Sequence, residues 1–279
     1  MPRIFDNIDQ TLLPALRETL AVGERADFCV GYFNLRGWRH LADLVDRWAG
    51  GEGHCCRLLV GMQSTPSEEL RQAMRLYRVG PFLDGASPPG FTPAESLDNQ
   101  TALREKRRLA EDFRRQLCLG APSNEDERAL RQLALQIHGR RLLVKVFLPH
   151  PLHAKLYLVH RRDANNPMTG FVGSSNLTMA GLARQGELNV DVLDHDACTK
   201  LADWFEDRWH ERWCLDISRD LAAIIDTSWA ADRLVPPYQV YLKMAYHLSQ
   251  EARTGLLEFR IPAIFGRDLF DFQVAAVKI

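Results

Sequence analysis

Apolar positions along the 279-residue chain fall into two kinds of run, one repeating every three to four residues and one alternating or continuous over five to eight. Thr11 to Leu20 repeats at helical spacing, Ala26 to Phe33 reads as a strand, Leu35 to Ala49 as a helix, and Cys56 to Met62 as a second strand. This strand, helix, strand succession predicts the start of a mixed or parallel sheet flanked by helices. From Ser64 to Arg141 the pattern changes. Pro, Gly and Ser punctuate residues 80 to 93, and charged helical segments follow at Ala94 to Leu117 and Asn124 to His138, predicting a helical insertion.

Strand character resumes at Leu142 to Leu148, Ala154 to His160, Gly170 to Ser174 and Leu188 to Leu193, with a hairpin loop between His160 and Gly170 and a helix from Ala197 to Trp213. Trp204, Trp209 and Trp213 share helical spacing with Leu201 and Phe205, which marks them as core or interface anchors rather than a base-stacking platform. The organisation this predicts is an α/β domain over residues 1–215, carrying the insertion at about 64–141, and a helical extension over 216–279.

A 46% hydrophobic content supplies enough material for a core, and 35 Lys plus Arg against 36 Asp plus Glu leave a formal charge of −1. Any contact with a polyanion must therefore be local. The run Arg104, Lys106, Arg107 and Arg108, with Arg114 and Arg115, is by default a solvated helix face threaded with acidic partners. It is also the best local candidate for contacts to a phosphate backbone. Cysteines at 29, 55, 56, 118, 198 and 214 form no CxxC pair and no His/Cys cluster, so neither a disulfide framework nor a structural metal is indicated. Reduced thiols, a polar N-terminal stretch and the lack of any 18-residue apolar run predict a cytoplasmic protein that neither follows a signal-peptide route nor spans a membrane.

The polar positions that carry chemistry sit in three of the predicted strands. His153 and Lys155 lie at i and i+2 and share a face, while Ala154, Leu156 and Leu158 are expected to pack behind them. Ser174 and Asn176 end the next strand as Gly-Ser-Ser-Asn, and Glu187 follows Ser174 by 13 residues, with Leu188, Val190 and Val192 expected to turn to the core. Five polar groups thus converge on one sheet edge.

This set resembles the HKD motif of the phospholipase D superfamily, and its layout is similar to that of the single-motif bacterial nucleases. The resemblance implies a phospholipase D-like mixed sheet flanked by helices. It further implies phosphodiester cleavage without metal or cofactor, with His153, Lys155, Ser174, Asn176 and Glu187 catalytic. Ser175 and Thr178 beside them, with Arg107, Arg108, Arg114 and Arg115, are the candidate substrate contacts. Each residue type suits the reaction. An imidazole attacks phosphorus while a second protonates the leaving oxygen; Lys155 and Asn176 donate to the non-bridging oxygens; and Glu187 holds an imidazole in its required tautomer. Two histidines are needed and the motif occurs once, so a homodimer with one composite site is expected.

One position departs from the family pattern: where an Asp follows the Lys by five residues, this chain has His160. Lipid-acting members are generally longer and carry two motifs, which favours nucleic acid as the partner, DNA before RNA, and no membrane. Leu269 to Val277, with Gln273, resembles the segment that precedes the nucleotide-binding loop of SNF2-like superfamily 2 helicases, although no Walker A sequence follows. That likeness implies the nuclease part of a longer helicase of a bacterial restriction or phage-defence system. The competing readings are a non-catalytic nucleic-acid-binding or dimerisation module, and a small phosphodiesterase or lipid-acting enzyme.

Overall fold

The computed structural model describes residues 2–35, 37–61, 98–118 and 123–231, with isolated positions 238, 241, 244 and 245. The chain divides into two compact units, Met1–Ala231 and Asp232–Ile279. Most of the predicted insertion ahead of residue 98, and the helicase-like segment around Gln273, lie outside the described residues.

The first unit is built on one mixed sheet. Its strands are β1 (Ile4–Phe5), β2 (Gly23–Val30), β3 (Cys56–Val60), β4 (Leu142–Phe147), β5 (Leu156–Arg161), β6 (Met168–Gly173), β7 (Asn189–Val192) and β8 (Cys214–Asp216). They are ordered β1-β7-β6-β5-β2-β3-β4-β8. β3 runs parallel to both β2 and β4, as the strand, helix, strand pattern predicts, and the remaining neighbours are antiparallel. The described helices are α1 (Leu12–Ala21), α2 (Ala42–Val45), α3 (Asn99–Cys118), α4 (Asn124–His138), α5 (His195–Trp209) and α6 (Ser218–Asp226).

Two apolar layers cover the sheet. Phe28, Val30, Leu58, Val144, Tyr157, Val159 and Phe171 face a large core shared with α1, α3, α4 and α6. Cys29, Leu59, Leu156 and Leu158 face the other way, against Cys198, Phe205 and Trp209 of α5. Alternation along each strand sends successive side chains to opposite layers, which is why these strands read as continuous apolar runs. Ser123 caps α4 by accepting from the Asp126 N–H, and Asp194 caps α5 in the same way from Ala197.

Several boundaries differ from the sequence pattern. Leu35 to Ala49 is not one helix: its buried Trp38, Leu41, Ala42, Val45 and Trp48 keep helical spacing. They are nonetheless carried by a 3-10 turn at Gly37–His40 and the single turn of α2. Gly37 lies so close to the chain at Leu177 that a Cβ there would stand 2.9 Å from the Leu177 carbonyl oxygen, and this contact holds the segment in a turn. α5 ends at Trp209, so Trp213 lies outside it, in the turn that leads to β8. Residues 216–231, read from sequence as the start of an extension, belong to the first unit, where Leu221, Ile224 and Ile225 of α6 are buried against the main core.

Cys29, Cys55, Cys56, Cys198 and Cys214 are free and buried. Burial pushes the Cys29 and Cys214 thiols up to about 12, so neither is a nucleophile at neutral pH. Among the described residues no helix is long and apolar enough to cross a membrane.

Candidate active site

The five motif residues gather where β5 begins and β6 ends. His153, Ala154 and Lys155 precede β5 rather than forming its first turn of ladder. Lys155 is only 4% exposed, and its ammonium donates to the His153 carbonyl oxygen at 3.0 Å. His153 itself is exposed. Partial enclosure of the ring, then the nearby Lys155 charge, hold its pKa below the ordinary imidazole value, while Glu187 pulls the other way. A neutral imidazole at neutral pH is the nucleophilic form.

Gly173 makes the neighbouring corner possible. A Cβ there would stand 2.2 Å from the Leu188 carbonyl oxygen and 2.4 Å from Asn189 Oδ1, so no larger residue fits before Ser174. Ser174 turns outward. Its backbone N–H donates to the Leu188 carbonyl, its hydroxyl accepts from the Leu188 N–H at 2.9 Å, and that hydroxyl donates to the Glu187 carboxylate. Serine and glutamate are thus joined before any substrate is present.

Asn176 is oriented from the loop that follows β2. The Tyr32 backbone N–H donates to Asn176 Oδ1 at 2.9 Å, which turns the amide nitrogen, the donor, the other way. The loop that carries Tyr32 is clamped by Gln116 of α3, whose side chain accepts from the Leu35 N–H and donates to the Phe33 carbonyl. Helix α3 therefore supports the motif through a loop that the HKD pattern does not contain.

Ser175, expected from sequence to touch substrate, is fully buried. Its hydroxyl accepts from Asn189 Nδ2 at 2.8 Å and its N–H donates to Asn189 Oδ1, so it is part of the scaffold. Its carbonyl accepts from the Tyr157 hydroxyl at 2.9 Å. Thr178 accepts from the Gly181 N–H and opens the π-helical turn Ala180–Arg184, again a structural task. Arg107, Arg108, Arg114 and Arg115 are exposed along α3. Arg108 pairs with Glu105 and Arg115 with Asp112 on the same helix, which is the solvated-face arrangement.

The expected facing of β7 holds at Val192, which packs against the second core, and fails at the two apolar positions before it. Leu188 and Val190, read as core residues, are exposed, and the polar Asn189 and Asp191 are buried. The reason is hydrogen bonding: Asn189 is taken by Ser175, and Asp191 by the Arg3 guanidinium at 2.7 Å. Tyr157 and Asn189 are the supporting residues that sequence reading missed. Both lie at alternating positions within the motif strands, and that spacing is the signal that could have found them.

Tyr157→Phe is expected to lower stability by about 1–3 kcal/mol, because it leaves the buried Ser175 carbonyl without its donor. A urea titration measures the difference; an unchanged midpoint would show that the clamp carries no energy.

Among the described residues no three His, Cys, Asp or Glu side chains are grouped to hold a metal ion. An eight-stranded mixed sheet with helices on both faces and this motif at one end defines a phospholipase D-like α/β domain. A family model described as cardiolipin synthase, PLD-like domain, matches residues 21–209, more than half of the chain, and the chain belongs to that family. Among solved structures, it is similar to Nuc, a phospholipase D family member from Salmonella typhimurium, at 12% identity over 77% of this chain and 97% of that one, with a TM-score of 0.40. NucT from Helicobacter pylori is similar at 10% identity over 77% and 98%, with a TM-score of 0.40. Phosphatidylserine synthase from Haemophilus influenzae Rd KW20 is similar at 14% identity over 91% of this chain and 46% of that one, with a TM-score of 0.44. No curated protein matches.

Proposed function

We propose that the protein is a DNA endonuclease that cleaves a phosphodiester through a phosphohistidine intermediate, in a composite site completed by a second copy. The observation that carries this reading is the convergence of an exposed, neutral-leaning His153 with Lys155, an oriented Asn176 and the joined Ser174 and Glu187. In the first step a His153 ring nitrogen bonds to phosphorus and the P–O bond to the leaving group breaks; that oxygen takes a proton from the second copy's His153. In the second, the same second imidazole removes a proton from water, water attacks phosphorus, and the P–N bond breaks. In this reading Lys155 and the Asn176 amide nitrogen donate to the non-bridging oxygens, and Glu187 with Ser174 steadies an imidazole. The exposed arginines of α3 are candidate backbone contacts. The helicase-like sequence around Gln273 favours DNA and a place in a longer restriction or phage-defence translocase.

Plasmid and single-stranded DNA incubated in EDTA, alongside phospholipid vesicles, test the reading. Nicking or cleavage of DNA in EDTA is expected. DNA binding without cleavage would favour a non-catalytic module, and turnover of lipid alone would favour a phosphatidyl-transfer enzyme. Because one His153 must be neutral to attack while the second copy's must carry a proton to donate, activity should trace a bell in pH whose acidic limb lies below the ordinary imidazole value of about 6.5. An acidic limb above that value would contradict the assignment.

A further inference from the structure

Helix α5 carries one arginine that no acid answers. Lys200 of the same helix pairs with Asp196, and the Glu206 carboxylate is shared by Arg25 and Arg57. Arg208 instead lies over the Trp204 ring at 4.0 Å and donates from Nη1 to the Trp204 carbonyl at 2.9 Å. Its Nε is buried without a partner, and among the described residues no carboxylate pairs with it. Ring and carbonyl fix the guanidinium plane and leave Nη2 uncommitted. Trp204 is itself half-buried against the second core, so the pair is a rigid part of the surface.

The pair stands on the flank of α5 that looks toward the motif. Glu206, about 200° around the helix from Trp204 and Arg208, reaches Arg25 and Arg57 near the opposite ends of β2 and β3. At the motif end, burial raises the Cys29 thiol while Arg208 and Lys155 both pull it down, so both cations lie within electrostatic reach of one residue. Cys29 is the register partner of Leu156, the residue after Lys155. A second pair continues along this end of the sheet. Arg212 is exposed and lies over Trp213 at 4.9 Å, and the Trp213 carbonyl accepts from the Leu148 N–H just beyond β4.

We propose that Arg208, held flat on Trp204, seats a backbone phosphate of the DNA strand next to the scissile one, and that Arg212 on Trp213 extends the contact. The proposal rests on the nuclease reading and adds a substrate-binding track outside the motif. Three observations argue for it over a purely structural clamp. Arg57 and Lys145, the cations that do clamp α5 through Trp209, are both answered, Arg57 by Asp27 and Glu206 and Lys145 by the Trp209 carbonyl. Arg208 has no such counter-charge and sits near another cation, an arrangement that favours an incoming anion. A guanidinium stacked on an aromatic ring also has its plane set in advance, which suits two-point recognition of phosphate. A seat outside the motif is useful only to a substrate with repeated phosphates, and that is a polynucleotide. The chain's overall charge of −1 supplies no general attraction, so a local track must do so.

The test measures binding of a fluorescent single-stranded oligonucleotide against salt, and its cleavage in EDTA, for the full chain and for Arg208→Gln, Arg208→Lys, Arg208→Gln/Arg212→Gln and Lys200→Gln. Each lost phosphate contact should flatten the slope of log affinity against log salt by about 0.7, so the double variant should lose about 1.4. Arg208→Gln should raise KM about 3–10-fold and leave kcat within about twofold. Arg208→Lys should keep the slope and lose affinity, because it retains the charge without the plane. Lys200→Gln, on the same helix but paired, should change neither. Urea unfolding shows whether each variant is folded at the assay temperature, and recovery of the slope in Arg208→Lys separates lost charge from lost structure. A wild-type slope in both Gln variants, an equal loss in Lys200→Gln, or a fall in kcat at constant KM would overturn the track. Wild type that binds DNA but does not cleave it, with the slope still lost in the variants, would uphold the track and overturn the nuclease reading; wild type that does not bind DNA would overturn both.

Discussion

His153→Ala is expected to lower DNA cleavage by about 10³-fold or more and to poison the wild-type protein when the two are mixed. On the proposed mechanism the first effect follows from removing the nucleophile in one copy and the general acid in the other, each a step that a positioned imidazole accelerates by about 10²–10⁴-fold. The second follows from symmetry. A mixed dimer keeps only one imidazole, so after subunit exchange only pairs of two wild-type copies remain active. An equal mixture should then retain about a quarter of the wild-type rate, against about half if each chain worked alone. Exposure of His153 makes the variant's stability close to wild type, which unfolding in urea verifies. Titrating variant into wild type at fixed total protein separates a squared dependence from a linear one; a linear dependence would sink the composite site even if His153→Ala is inactive.

The continuous apolar strands and the helix over Asn124–His138 could be read from the chain, because burial on both sheet faces writes long apolar runs and a helix packed on one side writes a 3.6-residue period. The HKD spacing likewise located His153, Lys155, Ser174, Asn176 and Glu187, which the fold brings to one end of β5 and β6. Three features were hidden for physical reasons. Alternation alone put Leu188 and Val190 in the core, and only the hydrogen-bond partners of Asn189 and Asp191 reverse that choice. Gln116 and Tyr32 act on Asn176 through backbone groups, and backbone contacts leave no residue signature. The two-residue β1 and three-residue β8 are too short to show a period and exist only by pairing with β7 and β4.

Five residues after Lys155 the chain departs from the family pattern, which has an acid there. His160 occupies its position, and the His160 Nε2 lies 2.7 Å from Asp27 Oδ2 on the adjacent strand β2. Asp27 is 1% exposed and also accepts from Arg57 at 2.6 Å and Arg25 at 2.8 Å. Both arginines go on to Glu206 of α5, and Arg57 lies over the rings of Phe205 and Trp209. The network ties β2 and β3 to the helix that covers the second core. Burial alone would raise the Asp27 pKa, but the hydrogen bonds from His160 and Arg57 override it and hold the carboxyl well below the usual carboxylate range. Asp27→Asn is therefore expected to cost about 1–3 kcal/mol, because it takes from Arg57 the buried one of its two carboxylate partners and leaves it Glu206. A carboxyl depressed in the folded state stabilises above its unfolded pKa of about 3.9 and loses that contribution as pH falls through the folded value. Wild-type stability should accordingly decline with acid below about pH 4, and that decline should be shallower in Asp27→Asn. His160→Asp, which restores the family residue, should also destabilise, since it sets a second carboxylate against Asp27 in a buried setting. Urea midpoints at neutral and acid pH measure all three. The network sits at the end of β5 away from Lys155, so folded molecules of either variant should keep the wild-type cleavage rate; a rate loss without a stability loss would move Asp27 from the scaffold to the site.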